Sequence, residues 1–458
     1  MGNHSARPLA SRLFWALIAV LTVPVLGQTG GPDAAKPNVD VPATAPATIN
    51  PPGDQAELRW VRSKQDEQRV LRLQLAIREF KPVAGDGPTI VLAGAVHIAD
   101  KSFYQRLEET LTRENDLVLF EGVMPEGMGE EVVPEGPGAD SRRVELSKDR
   151  VRLTAVMMER WLRSDQSHVV PPTLEDFAST LKKAGKGREA EFVAASTKDA
   201  WGNPLEFKPA ADSKSFTIKS LGADAAPGGE GHATDISLAD LPPLKPSEVG
   251  EEPGLQRRLA ETFDLSFQLD EMSHAGEKWK NVDMSIDQVQ QKLKEAGAES
   301  GALFTLLDGS SFPAKLASGV LGLIERIPGM APRLKVMMVE MLANVDDDML
   351  AAAGGPGMGD TAKLMKVIID DRNQVVIDGL RKTIETNPGV KRIAVLYGAG
   401  HMPDLSERLT AQLGYKHASG RWLTAIRIDL DAAGIDESEM NMTRMMMAAQ
   451  LNALKKSR

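Results

Sequence analysis

The sequence predicts an α/β fold in which a parallel β-sheet is covered by helices, with a helical middle region and a small β-containing insertion. Residues 89–96 and 116–120 are near-continuous apolar strands, and residues 101–113 between them carry apolar side chains at helical spacing. A similar set lies near the C-terminus, with a strand at 391–397, a helix at 403–413 and a strand at 422–428. Strands that are apolar on both faces are typical of parallel sheets buried between helices. The pattern therefore indicates two β-α-β units.

The remaining predicted elements surround these units. Residues 57–62 and 70–80 have β-like composition, and the second stretch alternates between polar and apolar residues, which is typical of a half-buried strand. Five methionines fall in residues 437–455, which we interpret as an amphipathic packing or docking helix. Helical spacing predicts helices at 150–162, 255–269, 286–296, 331–350 and 361–384.

Composition and charge exclude several classes of function. The chain has 458 residues, of which 42% are hydrophobic and 26% charged, an ordinary balance for a globular protein. The formal net charge is -10 and no basic stripe is evident, so we expect no nucleic-acid partner. There are no cysteines, which excludes disulfides, thiolate metal ligands, a cysteine nucleophile and a lipoprotein anchor.

The N-terminus predicts export. Arg7 and Arg12 precede an apolar run at residues 13–26, and Gly27 is a small residue suited to cleavage. We interpret residues 1–27 as a signal peptide, so the mature protein would be periplasmic or secreted. The alternative is an uncleaved membrane anchor, but Pro24 and the shortness of the run favour cleavage.

Composition also suggests a division into regions. Residues 28–55 are rich in Pro, Ala, Thr and Gly and predict a disordered linker. Residues 170–243 shift toward Gly, Pro, Ala, Ser and Asp, and we expect them to form a separate small lobe that supplies no metal ligands. The core would then comprise residues 56–169 and 244–430, followed by the methionine-rich helix at 431–458.

Three metal-type side chains follow the ends of predicted strands. His97, Glu121 and His401 each lie at or just past a carboxyl end, and parallel strands place these ends on one edge of the sheet. Both histidines lie in a Gly-x-x-His frame, starting at Gly94 and Gly398. Two imidazoles and a carboxylate suffice to hold a divalent metal with an open position for water. Glu121 could instead be the general base, with another ligand supplied elsewhere.

Several other residues allow two interpretations. Arg372 and Asn373 lie in a helix that is apolar on one face, where the arginine would either join a solvated salt-bridge patch or hold a carboxylate or an oxyanion. Asp283 precedes a helix near Ser285 and is interpreted as its cap. Four histidines lack any frame and are expected on the surface or in loops: His168, His232, His274 and His417.

Four motifs of the core together resemble the TraB/PrgY/GumN family, which includes the Tiki metalloproteases. They are the segments at residues 94–104, 116–122, 371–373 and 397–403. The resemblance implies an erythromycin-esterase/Tiki-like core and a divalent metal, with manganese or cobalt typical and zinc an alternative. It implies that His97, His401 and Glu121 form the metal and catalytic set, with Arg372 also catalytic.

The same resemblance implies a peptide or protein substrate, which Arg372, Asn373 and Tyr397 would contact. Members of the family differ in activity, since some are peptidases and others block or sequester a peptide pheromone. We therefore expect an exported metal-dependent peptidase or amide hydrolase. The alternatives are a non-catalytic peptide-binding protein of the cell envelope and a structural envelope role.

The insertion resembles the C-terminal part of the type II secretion major pseudopilin. The resemblance rests on the segments at residues 199–207, 220–224, 228–231 and 235–236. It implies a Trp-Gly-Asn-Pro turn leading into a small sheet, and a loop that binds calcium through Asp224 and Asp235. His232 and Ala233 stand where acids are usual, and the pseudopilin's long N-terminal helix is absent from the segment. A structural mini-domain held by turn chemistry is the alternative to a calcium site.

Overall fold

The computed structural model describes most of the chain between residues 59 and 456. The described residues are 59–122, 136, 138–184, 186–244, 249, 255–274, 276–297, 329–344 and 366–456. The predicted signal peptide and linker lie outside the described residues, as do parts of the helices predicted at 331–350 and 361–384.

The strands agree with the predicted positions for most of the core and extend beyond them near the C-terminus. In chain order they are β1 (Val61–Gln65), β2 (Val70–Pro82), β3 (Thr89–Ala95), β4 (Ile98–Ala99), β5 (Leu117–Phe120), β6 (Glu206–Pro209), β7 (Phe216–Ser220), β8 (Ile236–Ser237), β9 (Ser266–Phe267), β10 (Trp279–Asn281), β11 (Arg392–Gly398) and β12 (Tyr415–Asp429).

The helices likewise follow the predicted order. They are α1 (Lys101–Glu114), α2 (Ala139–Ser164), α3 (Leu174–Lys183), α4 (Gly187–Ala195), α5 (Leu255–Thr262), α6 (Gln268–Glu271), α7 (Ile286–Glu295), α8 (Met330–Asn344), α9 (Arg372–Thr386), α10 (Met402–Leu413) and α11 (Glu437–Lys456). A π-helical turn, Lys366–Asp371, leads into α9. The helix predicted at 255–269 is interrupted, because β9 separates α5 from α6.

The main sheet is mixed, whereas the sequence pattern predicted a parallel one. Its centre is parallel, with β11 between β3 and β5, and β10 beside β5. Strands β1, β2 and β12 add an antiparallel part, since β2 pairs in antiparallel fashion with β1, β3 and β12. The second predicted β-α-β unit is corrected accordingly, because β12 pairs with β2 and not with β11. The alternation of polar and apolar residues in β2 is typical of a strand in an antiparallel sheet.

Two strands, β1 and β3, pair with successive parts of the same edge of β2. Residues 77–80 pair with β3, while residues 71–75 pair with β1, and β12 follows the whole opposite edge. Strand β1 therefore continues the line of β3 beyond its carboxyl end. This arrangement brings the start of β1 to the same end of the sheet where the residues after β3 lie.

Helices cover both faces of the sheet. On one face, α1, α5, α8 and α11 pack against odd-numbered residues of β2 and β3 such as Leu73 and Ala93. On the other, α9 and α10 pack against Ile90, Leu92 and Val395. Alternate residues of one strand thus enter different cores, which explains the near-continuous apolar runs in the sequence. The described part of the protein is a mixed α/β structure with helices on both sides.

Residues 170–243, which were predicted to form an inserted lobe and are called the inserted lobe below, contain a three-stranded antiparallel sheet of β6, β7 and β8. Its apolar cluster includes Phe177, Leu181 and Ile218 together with Val151 and Met158 of α2. Helix α2 has 26 residues and directly precedes the lobe. A long helix therefore precedes the lobe and packs on it.

Among the described helices, none combines the length and apolar character that a membrane span requires.

Candidate active site

The three predicted metal-type residues follow strands that are neighbours in the sheet. His97 comes two residues after β3, Glu121 directly follows β5, and His401 ends a 3₁₀ turn, Ala399–His401, after β11. Because β11 lies between β3 and β5 and all three run in parallel, their carboxyl ends meet on one edge. His401 Nε2 lies 3.8 Å from Glu121 Oε1. The predicted convergence of these two residues is thus present in the structure.

The two Gly-x-x-His frames pack against each other. A Cβ added at Gly94 would lie 3.4 Å from the Cβ of Ala399, and one at Gly398 would lie 3.4 Å from Glu121 Oε2. Gly398 has a φ of -51°, and neither glycine adopts the left-handed conformation. The value of glycine at these positions is therefore close packing and not a left-handed backbone conformation.

Glu121 is held by an ion-pair network inside the protein. Its Oε1 accepts a hydrogen bond from Arg372 Nη2 at 2.7 Å, and its Oε2 accepts one from the backbone N–H of Gly398 at 2.6 Å. Arg372 also donates from Nε and Nη2 to the two oxygens of Asp283, at 2.9 and 2.7 Å. The side chains of Arg372 and Asp283 are each only 1% exposed. The guanidinium therefore links two carboxylates in a buried setting.

Asp283 therefore has a different role from the one the sequence suggested. The predicted cap of α7 was Asp283, but in the structure the cap is Ser285, which forms a capping box with Gln288. Asp283 instead accepts the two hydrogen bonds from Arg372 and one from the backbone N–H of Gly122 at 3.0 Å. No sequence signal paired Asp283 with Arg372, because they are 89 positions apart.

His401 is oriented by Asn373. The Nδ1 atom of His401 lies 2.7 Å from Oδ1 of Asn373, so Nδ1 carries the proton in this hydrogen bond. The amide nitrogen of Asn373 donates to the carbonyl of His401 at 3.2 Å and to Asp404 Oδ2 at 2.7 Å. Arg408 in turn donates to Asp404 Oδ2 at 2.5 Å. This chain of contacts leaves the lone pair of His401 on Nε2, facing Glu121.

Two buried polar atoms of this cluster have no hydrogen-bond partner among the described residues. They are His401 Nε2, which is a lone-pair acceptor in the tautomer given above, and Arg372 Nη1, which is a donor. Buried polar groups are nearly always paired, and exceptions concentrate at functional sites. The cluster thus presents one acceptor and one cationic donor that no described protein group uses.

The protonation states follow from burial and charge. Burial alone would raise the pKa of Glu121, but the charges of Arg372 and the two histidines hold that pKa at about 2. Burial lowers the pKa of His401 to about 4, and it also lowers the pKa of His97. Burial raises the pKa of Asp283, against the opposing charge of Arg372. Near neutral pH the cluster therefore combines an ionised Glu121 with two neutral imidazoles.

His97 borders the cluster. It is 8% exposed, its side chain bonds to Gln268, and its carbonyl accepts the backbone N–H of Gln268 at 2.8 Å. The charges of Glu121 and Arg372 both act on its pKa. Gln268, at the start of α6, was not predicted as a site residue. An isolated glutamine in a helical pattern does not indicate a residue of a functional site.

Within the described residues, no three His, Asp or Glu side chains are arranged so as to hold a metal ion. His401 and Glu121 supply two donor groups, and the unpartnered Nε2 of His401 has the chemistry of a metal ligand. The donor types therefore fit a divalent metal, while a third ligand and the roles of all these residues stay predictions.

The other predicted substrate contacts are buried. Asn373 and Tyr397 are at most 1% exposed, and the Tyr397 hydroxyl donates to the carbonyl of Val282. Their predicted contact with substrate stays a prediction. His274, expected on the surface or in a loop, lies in the loop between α6 and β10, where it is 4% exposed and stacks on Phe120 with ring centroids 4.9 Å apart. An aromatic neighbour across the fold cannot be inferred from a lone histidine.

The inserted lobe is held by turn chemistry. Asp199 Oδ1 accepts the backbone N–H groups of Trp201 and Asn203 at 3.0 and 2.9 Å, and its Oδ2 accepts from Ser220 at 2.6 Å. Arg150 of α2 donates to the carbonyl of Asp199 at 2.9 Å. The turn thus joins the small sheet to helix α2.

The predicted calcium ligands of the lobe have protein partners. Asp235 Oδ2 accepts from Lys219 Nζ at 3.0 Å, and its Oδ1 accepts the backbone N–H of Gly228 at 3.0 Å. Asp224 Oδ1 accepts the backbone N–H of Ala226 at 3.1 Å. The hydrogen bond from Lys219 lowers the pKa of Asp235. An ammonium group stands beside Asp235 where a cation would bind, so these residues do not fit calcium as they are arranged here.

Comparison with known proteins supports the resemblance of the insertion. Residues 168–239 match the family described as type II secretion system (T2SS), protein G. No curated protein and no solved structure matches the chain. The match covers most of the inserted lobe, which is a small part of the whole chain. The resemblance of the core to the TraB/PrgY/GumN family is not among these findings and stays a prediction.

Proposed function

We propose that this protein is an exported divalent-metal-dependent hydrolase, a peptidase or related amide hydrolase of the TraB/Tiki type, with its active centre at His97, Glu121 and His401. One observation carries the proposal. A buried cluster at the carboxyl ends of three adjacent parallel strands contains an unpartnered imidazole nitrogen, His401 Nε2, and an unpartnered guanidinium nitrogen, Arg372 Nη1, among the described residues. Such edges are where α/β sheets bind ligands.

A divalent metal such as manganese, cobalt or zinc would be held by His401, Glu121 and His97. When bound, it would polarise a carbonyl and make a water molecule acidic enough to supply hydroxide near neutral pH. The support is chemical, since two neutral imidazoles and an ionised carboxylate are suitable ligands.

The protein groups around this centre have distinct tasks in the proposal. Asn373 accepts the Nδ1 proton of His401 and so keeps the Nε2 lone pair directed into the site. Asp283 holds the guanidinium of Arg372 by two hydrogen bonds. Arg372 keeps Glu121 ionised, and its free Nη1 would donate to a substrate carbonyl as negative charge develops on the oxygen.

Asp283 therefore has two tasks in the proposal. It fixes the orientation of Arg372, and it offsets the charge of the guanidinium within the buried site. Both tasks are those of a positioning residue, because neither oxygen of Asp283 lies free to contact a substrate.

The test combines metal analysis with a cleavage assay on a peptide library. We expect purified protein to bind one equivalent of manganese, cobalt or zinc, and His401→Ala to lose both the metal and cleavage. Arg372→Lys should keep the metal but cleave at least about a hundredfold more slowly, because the oxyanion loses its donor. Arg381→Lys, on the same helix and exposed, is the matched control and should behave as the wild type. Wild-type protein that binds none of the three metals would contradict the proposal.

The second candidate is a peptide-binding protein without catalysis. The position of Glu121 between Arg372 and Gly398 favours this candidate, because both carboxylate oxygens already accept protein hydrogen bonds. The same library decides between the two. Saturable peptide binding by metal-loaded protein, with every peptide recovered intact, would replace the hydrolase proposal with this one.

The similarity of residues 168–239 to a secretion-system protein supports a role in the cell envelope or in secretion. Calcium is not part of the proposal, because Lys219 already supplies the positive charge beside Asp235.

A further inference from the structure

A second cluster of unpartnered polar atoms lies on the antiparallel part of the sheet. Directly paired residues of antiparallel strands share a face. Arg62 of β1 pairs with Gln74 of β2, and Arg78 of β2 pairs with Gly420 of β12. Because Gln74 and Arg78 are four residues apart on one strand, the two arginines are on the same face.

Two tryptophans complete this surface. The Arg62 guanidinium carbon lies 4.0 Å from the ring centroid of Trp422, and that of Arg78 lies 5.6 Å from the same ring and 5.3 Å from Trp60. Trp422 pairs with Ala76, which lies on β2 midway between Gln74, the partner of Arg62, and Arg78. The carbonyl of Trp60 accepts the backbone N–H of Ala76. We call Trp60, Arg62, Arg78 and Trp422 the Arg–Trp platform. Stacking on indole holds each guanidinium flat and fixes its direction.

Neither arginine of the platform forms an ion pair within the described part of the chain. Arg62 Nε donates to Gln74 Oε1 at 2.9 Å, and Arg78 Nη2 donates to the carbonyl of Arg59 at 2.7 Å. Neighbouring arginines on the same strands differ, since Arg72 pairs with Asp66 and Arg421 pairs with Glu114.

Burial makes this absence of counter-charge costly. Arg78 Nε and Trp60 Nε1 are both buried without a hydrogen-bond partner among the described residues. Burial lowers the pKa of Arg78 and of Arg62, and the charge of Arg62 lowers that of Arg78 further. Two partly desolvated like charges held side by side are unfavourable unless an anion neutralises them.

The backbone leaves room for this arrangement. A Cβ added at Gly420 would lie 3.2 Å from Arg78 Nη1. Glycine at this position therefore lets the guanidinium lie across β12, and a larger residue would displace it.

We propose that Arg62 and Arg78, stacked on Trp60 and Trp422, bind an oxyanion group, either a carboxylate or a phosphate, of a ligand external to the chain. Guanidinium groups bind both groups through paired N–H donors, and the aromatic rings can contact the remainder of the ligand. Strand β1 continues the line of β3, so the platform lies toward the same end of the sheet as the candidate active site. The inference does not depend on the proposed hydrolase activity.

The test measures thermal unfolding and titration calorimetry of the full chain with sodium phosphate and, separately, with sodium acetate. Sodium chloride at matched ionic strength corrects for general salt effects. We expect a saturable stabilisation by phosphate, by acetate or by both, and the stronger of the two identifies the group. Arg62→Gln and Arg78→Gln should each weaken the binding at least about tenfold, because each removes one charged donor pair.

Arg421→Gln is the matched control. It removes the same charge from the residue next to Trp422, but Arg421 points to the opposite face and pairs with Glu114. It should bind the anion as the wild type does. If Arg78→Gln fails to fold, Arg78→Lys and the partly exposed Arg62→Gln keep the comparison possible.

Three outcomes would overturn the inference. One is a wild-type response to phosphate and acetate that does not exceed the response to chloride. Another is an equal response in the wild type and both glutamine variants. The third is an equally large loss of binding in Arg421→Gln, which would mean that the loss of any positive charge, and not its position on the platform, weakens the binding.

Discussion

Arg372 and Asp283 form a two-point ion pair inside the protein, with Nε on Oδ1 at 2.9 Å and Nη2 on Oδ2 at 2.7 Å. Both side chains are 1% exposed, and the same Nη2 also reaches Glu121. The pair therefore fixes the position of the guanidinium beneath the candidate active centre, and its loss would leave a buried positive charge with one partner instead of two.

Asp283→Ala should lower the free energy of unfolding by about 3–5 kcal/mol, because removing one partner of a buried ion pair leaves the charge of the other uncompensated. Urea unfolding at pH 7 measures the change. Asp378→Asn, which removes an exposed carboxylate paired with Arg381 on α9, should change stability by less than about 1 kcal/mol. A similar small effect for both variants would show that the buried pair contributes little.

Asn373→Leu should remove the acceptor for His401 Nδ1 and leave that atom buried and unpaired. We expect a loss of about 1–3 kcal/mol in stability and, if a metal is bound, about 10- to 100-fold weaker metal affinity. Denaturant unfolding and competition with a chelator measure the two effects. Gln374→Leu, at the next position, where the side chain contacts exposed groups, is the control. Unchanged metal affinity in Asn373→Leu would contradict the orienting role.

The pH dependence of stability should carry a contribution from His401. Its folded-state pKa of about 4 lies below the ordinary value of 6.5, so protons bind the unfolded chain more tightly. The stability contribution is complete above about pH 6.5 and is lost as the pH falls toward about 4. In the presence of a chelator, the wild type should lose roughly 3 kcal/mol more than His401→Gln between pH 7 and pH 4. Parallel pH profiles for the two proteins would argue against a buried neutral His401.

Gly379 tests the packing between α9 and the segment before Asp283. A Cβ at this position would overlap Cγ1 of Val282. Alanine is favoured over glycine in a helix by about 1 kcal/mol, but overpacking costs about 1–3 kcal/mol and should dominate. Gly379→Ala is therefore expected to be destabilised in thermal unfolding. Gly389→Ala, where an added Cβ meets nothing within 4 Å, should be neutral or slightly stabilised. Stabilisation of both variants would show that Val282 moves aside without cost.

Much of the fold could be predicted from local patterns. The apolar strands around α1 and the spacing of Phe103, Leu107 and Leu111 predicted the first β-α-β unit correctly. The pairing of β12 with β2 could not be predicted, because strand order depends on long-range contacts and the two strands are more than 330 positions apart. Interruption of the helix at 255–269 by β9 was also missed, since β9 pairs with the two-residue strand β4.

The candidate site was predictable in part for the same reason. His97, Glu121 and His401 each follow a recognisable strand, so their position at one edge follows from parallel pairing. Asp283 and Gln268 follow no such rule. Their contacts with Arg372 and His97 depend on how β10 and α6 meet the sheet, which the sequence pattern leaves open.

The position of β11 between β3 and β5 has a consequence for folding. Residues 392–398 are synthesised after more than four-fifths of the chain, yet they form the centre of the parallel sheet and contact both older strands. Until β11 has been synthesised, β3 and β5 cannot be joined in one sheet, because β11 lies between them and they do not pair with each other. Closing such long loops is entropically costly, and structures dominated by distant contacts fold slowly. In a nascent chain that ends before residue 392, β3 can pair with β2 and β5 with β10, but each keeps one unpaired edge where β11 belongs. These two apolar edges need protection from aggregation until the last part of the core is synthesised.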